Sequence, residues 1–162
     1  MAGTYSDPEI QALCQERKPL PADWRNRVVL RSKRGHSERD LEVQGDAGNT
    51  FRLILRQNRI NALDFSIIVA VCVPNTNQIF RLRRYNGKSH EHTNHIEGDT
   101  FYSFHIHVAT ERYQELGTRE DAYAEPTSRY GDYHEALRCM LDDMSFDVPP
   151  ELQPCLFEEM TS

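Results

Sequence analysis

Several features that would assign this sequence to a class of protein are missing from it. Only four of its 162 residues are cysteine. Cys14, Cys72, Cys139 and Cys155 stand far apart, without the close pairs of a zinc-binding motif, and we expect them to be reduced. No apolar run approaches the roughly 20 residues of a membrane helix, and the first residues lack a signal-peptide pattern. These absences predict a cytoplasmic protein that does not contact membranes.

Positive charge is scarce at one end of the chain. The net charge is −6, and residues 111–162 carry 13 acidic but only 4 basic side chains. Residues 50–110 reverse this balance, with 7 basic and 4 acidic side chains. The overall acidity therefore does not exclude an anionic ligand at the centre of the chain. The acidic third could bind a basic or protein partner, or compete for that basic centre.

Hydrophobic periodicity predicts an α+β fold, in which an antiparallel meander of about five strands lies between two helices. Ser6 and Glu9 have the spacing of a capping box for the first helix, and Asp132 begins the last one. A short helix is expected from Thr110 to Leu116. The predicted strands are residues 27–31, 41–43, 50–57, 64–73, 78–85 and 100–108. Residues 1–146 form the predicted single domain, and residues 147–162 form an acidic, loosely attached tail.

The alternation of side chains along these strands predicts the composition of the two sheet faces. We expect both terminal helices to cover the apolar face. The opposite face would then display the residues that alternate with the core positions, namely Arg52, Arg56, Arg81, Arg83, Tyr85, His105 and His107. A shift of one residue in any strand would reverse this assignment.

Histidines are concentrated in residues 81–113, which hold five of the seven in the chain. They are His90, His92, His95, His105 and His107. Two pairs have i, i+2 spacing, which on a strand places both imidazoles on one face. Each histidine taken singly is typical of a solvated loop or a satisfied structural position, so only their clustering indicates a site.

A first hypothesis is that the central stretch binds phosphate or nucleic acid on its open face. Guanidinium groups hold phosphate, aromatic rings stack on bases, and two imidazoles could act as acid and base in a metal-independent, toxin-like ribonuclease without a cofactor. The catalytic candidates are His105, His107 and His92. The candidate residues for binding phosphate or nucleic acid, including RNA, are Arg52, Arg81, Arg83, Tyr85, Lys88 and His90.

A second hypothesis is a divalent transition metal bound by histidine. His90 and His92 precede Glu97, and His105 and His107 precede Glu111, with spacings that such a metal could use. The alternative ligand set is His90, His92, His105, His107 and Glu111. The second motif resembles the first metal motif of cupins, with the glycine spacings off by one residue. That resemblance implies a fourth ligand on a further strand, where this sequence indicates helix and loop.

A third hypothesis is a non-catalytic protein that binds a partner, such as an inhibitor or one component of a toxin–antitoxin pair. The small size of the chain and its acidic C-terminal third are typical of such proteins.

Two short basic segments each allow a structural interpretation and a functional one. The basic turn at residues 32–36 is typical of a solvated loop, with contact to phosphate as the alternative. Residues 86–89 read Asn-Gly-Lys-Ser, which favours a turn over an anion-binding nest.

Three longer stretches, RYNGKSHEHTN, FYSFHIHVATERYQ and YAEPTSRYGDYHEAL, resemble a family of short prokaryotic proteins without an assigned function. The resemblance covers roughly residues 50–145. It implies a stand-alone bacterial, archaeal or phage protein, and it implies no catalytic role for any residue.

Overall fold

The computed structural model describes residues 4–117 and 119–150 of the chain. Those residues contain four helices. They are α1 (Asp7–Gln15), α2 (Trp24–Arg27), α3 (Glu111–Leu116) and α4 (Tyr133–Asp143). Most of the predicted acidic tail, together with Cys155, lies outside the described residues. The predicted boundary at residue 146 falls inside a short paired strand.

The strands of the described residues form one large sheet and two short ribbons. They are β1 (Lys18–Pro19), β2 (Arg31–Ser32), β3 (His36–Gln44), β4 (Thr50–Asn58), β5 (Phe65–Cys72), β6 (Ile79–Asn86), β7 (His92–Thr93), β8 (Thr100–Phe101), β9 (His105–Val108), β10 (Ala124–Pro126) and β11 (Phe146–Asp147). The large sheet has the order β10-β9-β6-β5-β4-β3-β2 with antiparallel neighbours. The ribbons pair β1 with β11 and β7 with β8.

The predicted α+β fold with an antiparallel meander is confirmed. Strands β3, β4, β5, β6 and β9 are the five long or central members, and β2 and β10 extend them at the two edges. Leu13 of α1 and Met140 of α4 belong to the same buried cluster as Phe80 and Leu82 of the sheet. Both terminal helices therefore cover one face, as the apolar pattern predicts.

Local signals place the helix ends correctly. The side chain of Ser6 accepts from the amide of Glu9, and the Glu9 side chain accepts from the Ser6 amide, which completes the capping box. Asp132 caps α4 and Thr110 caps α3 through a single side-chain bond each, accepting from the amides of Glu135 and Tyr113. Gly117 ends α3 with a φ of 87°, the left-handed conformation that glycine adopts without strain.

Two strand predictions are wrong. Most of residues 27–31 lies outside the sheet, because Trp24 is buried and starts the short helix α2, so that only β2 follows. Residues 100–108 do not form one strand. They divide into β8 and β9, and Tyr102 between them is 53% exposed instead of lying in the core.

A β-bulge in β6 changes which residues face the helices. Ala70 pairs with Arg81 and the preceding Val69 pairs with Arg83, so Leu82 is an extra residue opposite that step. Beyond the bulge the alternation of β6 is therefore shifted by one position.

Arg83 and Tyr85 were predicted to lie on the sheet face opposite the helices. Because of the bulge, this prediction is wrong for both residues. Tyr85 is fully buried on the helix side, where its hydroxyl donates to Asp143 at 2.6 Å. Arg83 lies beside it, with Nη1 3.8 Å from an Asp143 carboxylate oxygen. Arg84 and Asn86 take the places on the opposite face.

The turn after β6 depends on a close backbone approach. A Cβ atom on Gly87 would lie 1.8 Å from the carbonyl oxygen of Leu63, so no other residue fits without a shift of the chain. The amides of Gly87 and Lys88 donate to the carbonyls of Phe65 and Leu63, each at 2.9 Å. Because both amides are already used in these bonds to the chain around the start of β5, they do not form an anion-binding nest.

Lys18 joins the end of α1 to the end of α4. Its side chain is buried, and its ammonium donates to the carbonyl oxygens of Leu13, Cys14, Glu16 and Met144 at 2.6–3.1 Å. These carbonyls include the C-terminal groups of α1 that the helix itself leaves unpaired. The ammonium therefore satisfies acceptors that water does not reach.

We expect Lys18→Met to lower the free energy of unfolding by about 2–4 kcal/mol, because the buried carbonyls would lose their donor. Urea unfolding followed by circular dichroism measures this change. The matched control is Lys88→Met, since Lys88 is exposed and its replacement should cost less than about 0.5 kcal/mol. Equal stability of the two variants would contradict a structural role for Lys18.

Candidate metal centre

Three histidines meet on the sheet face opposite the helices. Strand β9 presents His105 and His107 there, and the β7–β8 hairpin folds over them and adds His92. The ring centroids lie 5.5 Å apart for His92 and His105, 4.8 Å for His92 and His107, and 5.0 Å for His105 and His107. One nitrogen from each ring lies within 4.8 Å of the other two. We refer to these residues as the three-histidine cluster.

The hydrogen bonds of the cluster fix the tautomer of each ring. His105 Nδ1 lies 2.8 Å from the Ser103 carbonyl oxygen, and His107 Nδ1 lies 2.7 Å from the Asp121 carbonyl oxygen. His92 Nε2 lies 2.8 Å from Asn94 Oδ1. An amide oxygen can only accept, so each of these three nitrogens carries the proton. The second nitrogen of each neutral ring is left with a lone pair.

These lone pairs are little used by the protein. His105 Nε2 has a long contact of 3.4 Å to Asn86 Nδ2. Within residues 4–117 and 119–150, His92 Nδ1 and His107 Nε2 have no hydrogen bond. The cluster therefore combines three oriented donors with three acceptor positions that remain available to a ligand.

Burial holds the rings neutral. Desolvation lowers the pKa of His105 to about 4 and, with the nearby Arg84 guanidinium, the pKa of His107 to about 2. Arg84 lies 3.4 Å from His107 Nδ1 through Nη2 and forms an ion pair with the fully buried Asp121 at 3.2 Å. At neutral pH both imidazoles are therefore unprotonated bases.

Asn94 positions the hairpin that carries His92. Its Oδ1 accepts from the Ala124 amide at 2.9 Å, and its Nδ2 donates to the Ala124 carbonyl at 2.7 Å, in the manner of a strand pair. Nδ2 also contacts the Asp99 carboxylate at 3.2 Å. Ala124 in turn pairs with His107 across β10 and β9. The side chain is 1% exposed, so this contact is part of the interior.

The sequence hypothesis named His105, His107 and His92 as its catalytic candidates, and the structure brings these three together. His90 lies at the rim, with its ring 6.2 Å from that of His105. His95 is exposed outside the cluster. Glu111, from the alternative metal set, lies at the start of α3, where it accepts from the Asp7 amide at 3.2 Å. Neither His90 nor Glu111 belongs to the group of nitrogens within 4.8 Å.

The predicted phosphate-binding residues do not meet in one place. Arg52 and Arg81 are on the expected face, but they pair with Glu42 at 3.0 Å and Glu120 at 3.2 Å. Arg83 and Tyr85 face the helices, as described above. Lys88 is exposed, and its Nζ lies 5.8 Å from the centre of the Tyr102 ring.

The sequence hypotheses did not include four residues that shape the cluster: Asn86, Asn94, Asp121 and Arg84 as a partner of His107. Asn94 carried a usable signal, because a carboxamide two residues after a histidine in a turn can orient the ring. Asp121 carried no such signal in the sequence. It is 14 residues from His107, and its carbonyl oxygen meets the His107 ring only because β9 lies beside the segment that contains Asp121.

No family model, curated protein or solved structure matches the chain. The resemblance to short prokaryotic proteins thus stays a prediction. Among the described residues, none of the helices is long and apolar enough to cross a bilayer. Fold and site together define the class: an α+β protein with an antiparallel sheet and a three-histidine cluster of two buried rings and one half-buried ring.

We expect the metal-free protein to lose stability as the pH falls below about 6.5, the ordinary pKa of histidine. Because the folded pKa values of His105 and His107 are about 4 and about 2, the unfolded chain binds more protons in this range. Each histidine then contributes a slope of up to about 1.4 kcal/mol per pH unit. The contribution is fully present above the unfolded pKa and is lost as the pH falls through the folded values.

Urea unfolding at a series of pH values measures this slope. His105→Gln/His107→Gln should flatten the profile between about pH 6 and 4, whereas His134→Gln should leave it unchanged, since His134 is exposed on α4. A wild-type profile as flat as that of the double variant would show that the two rings are not held neutral by burial.

Proposed function

We propose that this protein binds one divalent transition-metal ion through His92 Nδ1, His105 Nε2 and His107 Nε2. The observation that carries the proposal is that one nitrogen of each ring lies within 4.8 Å of the other two. A carbonyl oxygen fixes the proton of each ring, which leaves lone pairs on His92 Nδ1 and His107 Nε2 without a hydrogen bond among the described residues, and on His105 Nε2 with only the 3.4 Å contact from Asn86. Metal-binding histidines in proteins have this arrangement, with the second nitrogen donating to an oxygen acceptor.

The distances are compatible with a metal after a small contraction. Zinc–imidazole bonds of about 2.0–2.1 Å bring tetrahedral ligand nitrogens to about 3.3 Å from each other. In the cluster they already lie within 4.8 Å of one another. The low pKa values of His105 and His107 favour binding further, because a ligand must be deprotonated and here no proton competes at neutral pH.

The ligand set indicates the kind of metal and of site. Three imidazoles favour zinc, iron, copper or nickel over magnesium or calcium, which prefer oxygen ligands. Structural zinc sites usually use four protein ligands, whereas catalytic sites keep three and leave a position for water or substrate. A metal held in this way would lower the pKa of a bound water molecule and polarise a substrate oxygen.

The metal-independent ribonuclease is a weaker proposal for the same residues. Its mechanism needs one imidazole that is protonated near neutral pH to act as the acid. His105 and His107 are both held neutral by burial, which argues against that role. The cupin-like alternative is also less favoured, because cupins have a double-sheet jelly roll, whereas this chain has one large open sheet. The partner-binding hypothesis stays a prediction.

The wild-type protein should bind about one equivalent of zinc or cobalt, as a three-histidine site requires. His92→Ala, His105→Ala and His107→Ala should each lower the affinity by at least about 100-fold, since ligands matter more than their outer partners. Titration after chelator treatment, with cobalt absorption as the readout of coordination, measures both quantities. His95→Ala and His134→Ala are the controls and should bind as wild type does.

Thermal unfolding separates loss of ligand from loss of fold. A ligand that binds only the folded state stabilises it by an amount that grows with the logarithm of ligand concentration over Kd, and so raises the melting temperature. Zinc should therefore raise the melting temperature of the wild type and of the controls, but not that of the three cluster variants. Wild-type protein that neither retains zinc nor gains stability from it would refute the proposal.

Asn94→Ala should weaken metal binding by about 10–100-fold, as loss of an outer-shell partner does, because His92 would lose the acceptor that orients it. Isothermal titration of the metal into the folded variant measures the change. Asn77→Ala is a matched control, since Asn77 is exposed in a turn far from the cluster. Wild-type affinity in Asn94→Ala would show that the carboxamide does not position the ligand.

A further inference from the structure

A second polar site lies on the same sheet face as the three-histidine cluster. It is a cleft of about 380 Å³ at the end of β3, β4 and β5, within the usual size range of ligand pockets. Its polar lining comes from Arg34, His36, Arg56, Gln57, Asn58, Asp64 and Ser66. We call it the basic cleft. It contains most of the basic turn whose sequence allowed either a solvated loop or a phosphate contact.

Neither guanidinium group of the basic cleft forms an ion pair among the described residues, although Glu38, the register partner of Arg56, contacts His36 Nε2 at 3.2 Å beside it. Arg34 has no side-chain hydrogen bond or ion pair among the described residues, and Arg56 contacts His36 Nε2 at 3.4 Å. Asp64 is the acidic member of the lining, and its two carboxylate oxygens accept from Asn58 at 3.4 Å and from Ser89 at 3.2 Å. By contrast, Arg52, Arg81 and Arg84 on this face are each paired with a carboxylate.

The arginine pairing along the sheet makes this difference clear. Arg52, Arg81 and Arg84 each have a carboxylate within 3.2 Å. Their positive charges are therefore balanced by carboxylates of the protein itself. The two guanidinium groups of the basic cleft remain available to an anion from outside.

The basic cleft and the cluster lie in one cross-strand row. Arg56 pairs with Ser66, Ser66 with Asn86, and Asn86 with His105. Adjacent strands are about 4.8 Å apart, so three steps separate Arg56 from His105 by about 14 Å. An extended ligand on this face could reach both places.

One hydrogen-bonded connection joins the basic cleft to the cluster, and a second joins it to His90 at the rim of the cluster. Ser66 donates to Asn86 Oδ1 at 2.9 Å, and Asn86 Nδ2 contacts His105 Nε2 at 3.4 Å. On the other side, Ser89 donates to Asp64 at 3.2 Å and contacts His90 Nδ1 at 3.0 Å. The spacing between the basic cleft and the cluster is therefore set by secondary structure and side-chain bonds, and not by a free loop.

We infer that the ligand of the proposed metal site carries a phosphate group, which binds between Arg34 and Arg56 in the basic cleft while another part of the ligand reaches the metal. This inference rests on the proposed three-histidine metal site. Two unpaired guanidinium groups offer phosphate a set of planar, charged donors that match its oxygens in pairs. A nucleotide and a single nucleic-acid strand both supply this chemistry.

The first test is the binding of two probes, adenosine 5′-monophosphate and a short single-stranded RNA, to the zinc-loaded protein. Arg34→Gln/Arg56→Gln should weaken binding by at least about tenfold for each lost charge-assisted bond. The control, Arg27→Gln/Arg138→Gln, removes the same charge from exposed positions on α2 and α4, whose apolar residues pack against the other face. It should bind as wild type does.

The outcomes separate the possible sources of the phosphate. Loss of binding of both probes in the cleft variant supports a phosphate site of nucleotide size, and loss for RNA alone supports a nucleic-acid ligand. For RNA, the dependence of affinity on salt should also become shallower in the cleft variant. The inference is overturned if neither probe binds, or if the control loses as much affinity as the cleft variant.

Phosphorus relaxation in the cobalt-loaded protein tests the distance. A phosphate in the basic cleft should lie on the order of 14 Å from the metal, by the strand spacing, whereas direct ligation would place it far closer and contradict the inference. Metal binding without phosphate binding would defeat this inference alone. Phosphate binding that depends on Arg34 and Arg56 in a protein that holds no metal would defeat the metal proposal instead.

Discussion

A buried carboxamide joins the β7–β8 hairpin to the edge of the main sheet. Asn94 exchanges two hydrogen bonds with the backbone of Ala124 and accepts a third from His92. Ala124 is itself the register partner of His107. Because an unpaired buried amide is costly, this arrangement keeps the hairpin closed over β9. The three-histidine cluster needs the hairpin in this position, because the hairpin carries His92.

The bulge in β6 determines which charged side chains lie on the sheet face that carries the cluster. By inserting Leu82, it directs Arg83 and Tyr85 toward the helices and gives Arg84 the position next to His107. The result is a face on which Arg84, paired with Asp121, lies beside the cluster and adds to the effect of burial in lowering the pKa of His107. The unpaired guanidinium groups are left at the far end of the same row. The proposed metal site and the proposed anion site are thus separated along one sheet, which is why we propose a ligand that spans both.

Much of the fold could be predicted, because its signals are local. Capping at Ser6, Thr110 and Asp132, and alternation along β4 and β5, depend on residues a few positions apart. The candidate site was predicted in part: i, i+2 spacing placed His105 and His107 on one face, and both lie there. The strand at residues 27–31 was wrong because the burial of Trp24 outweighed the apolar run that follows it.

The sequence by itself determined the fold class, the helix ends and the face on which His105 and His107 lie, since backbone periodicity and capping are set by near neighbours. Only the tertiary structure decided that His92 joins them and His95 does not, because no periodicity governs the loop between Gly87 and Gly98. The tertiary structure also decided that the β7–β8 hairpin covers the sheet face at His105 and His107. It further decided that Arg83 and Tyr85 lie on the opposite face, toward the helices. Those outcomes depend on the pairing of strands distant in sequence and on one inserted residue, which reverses every following side chain.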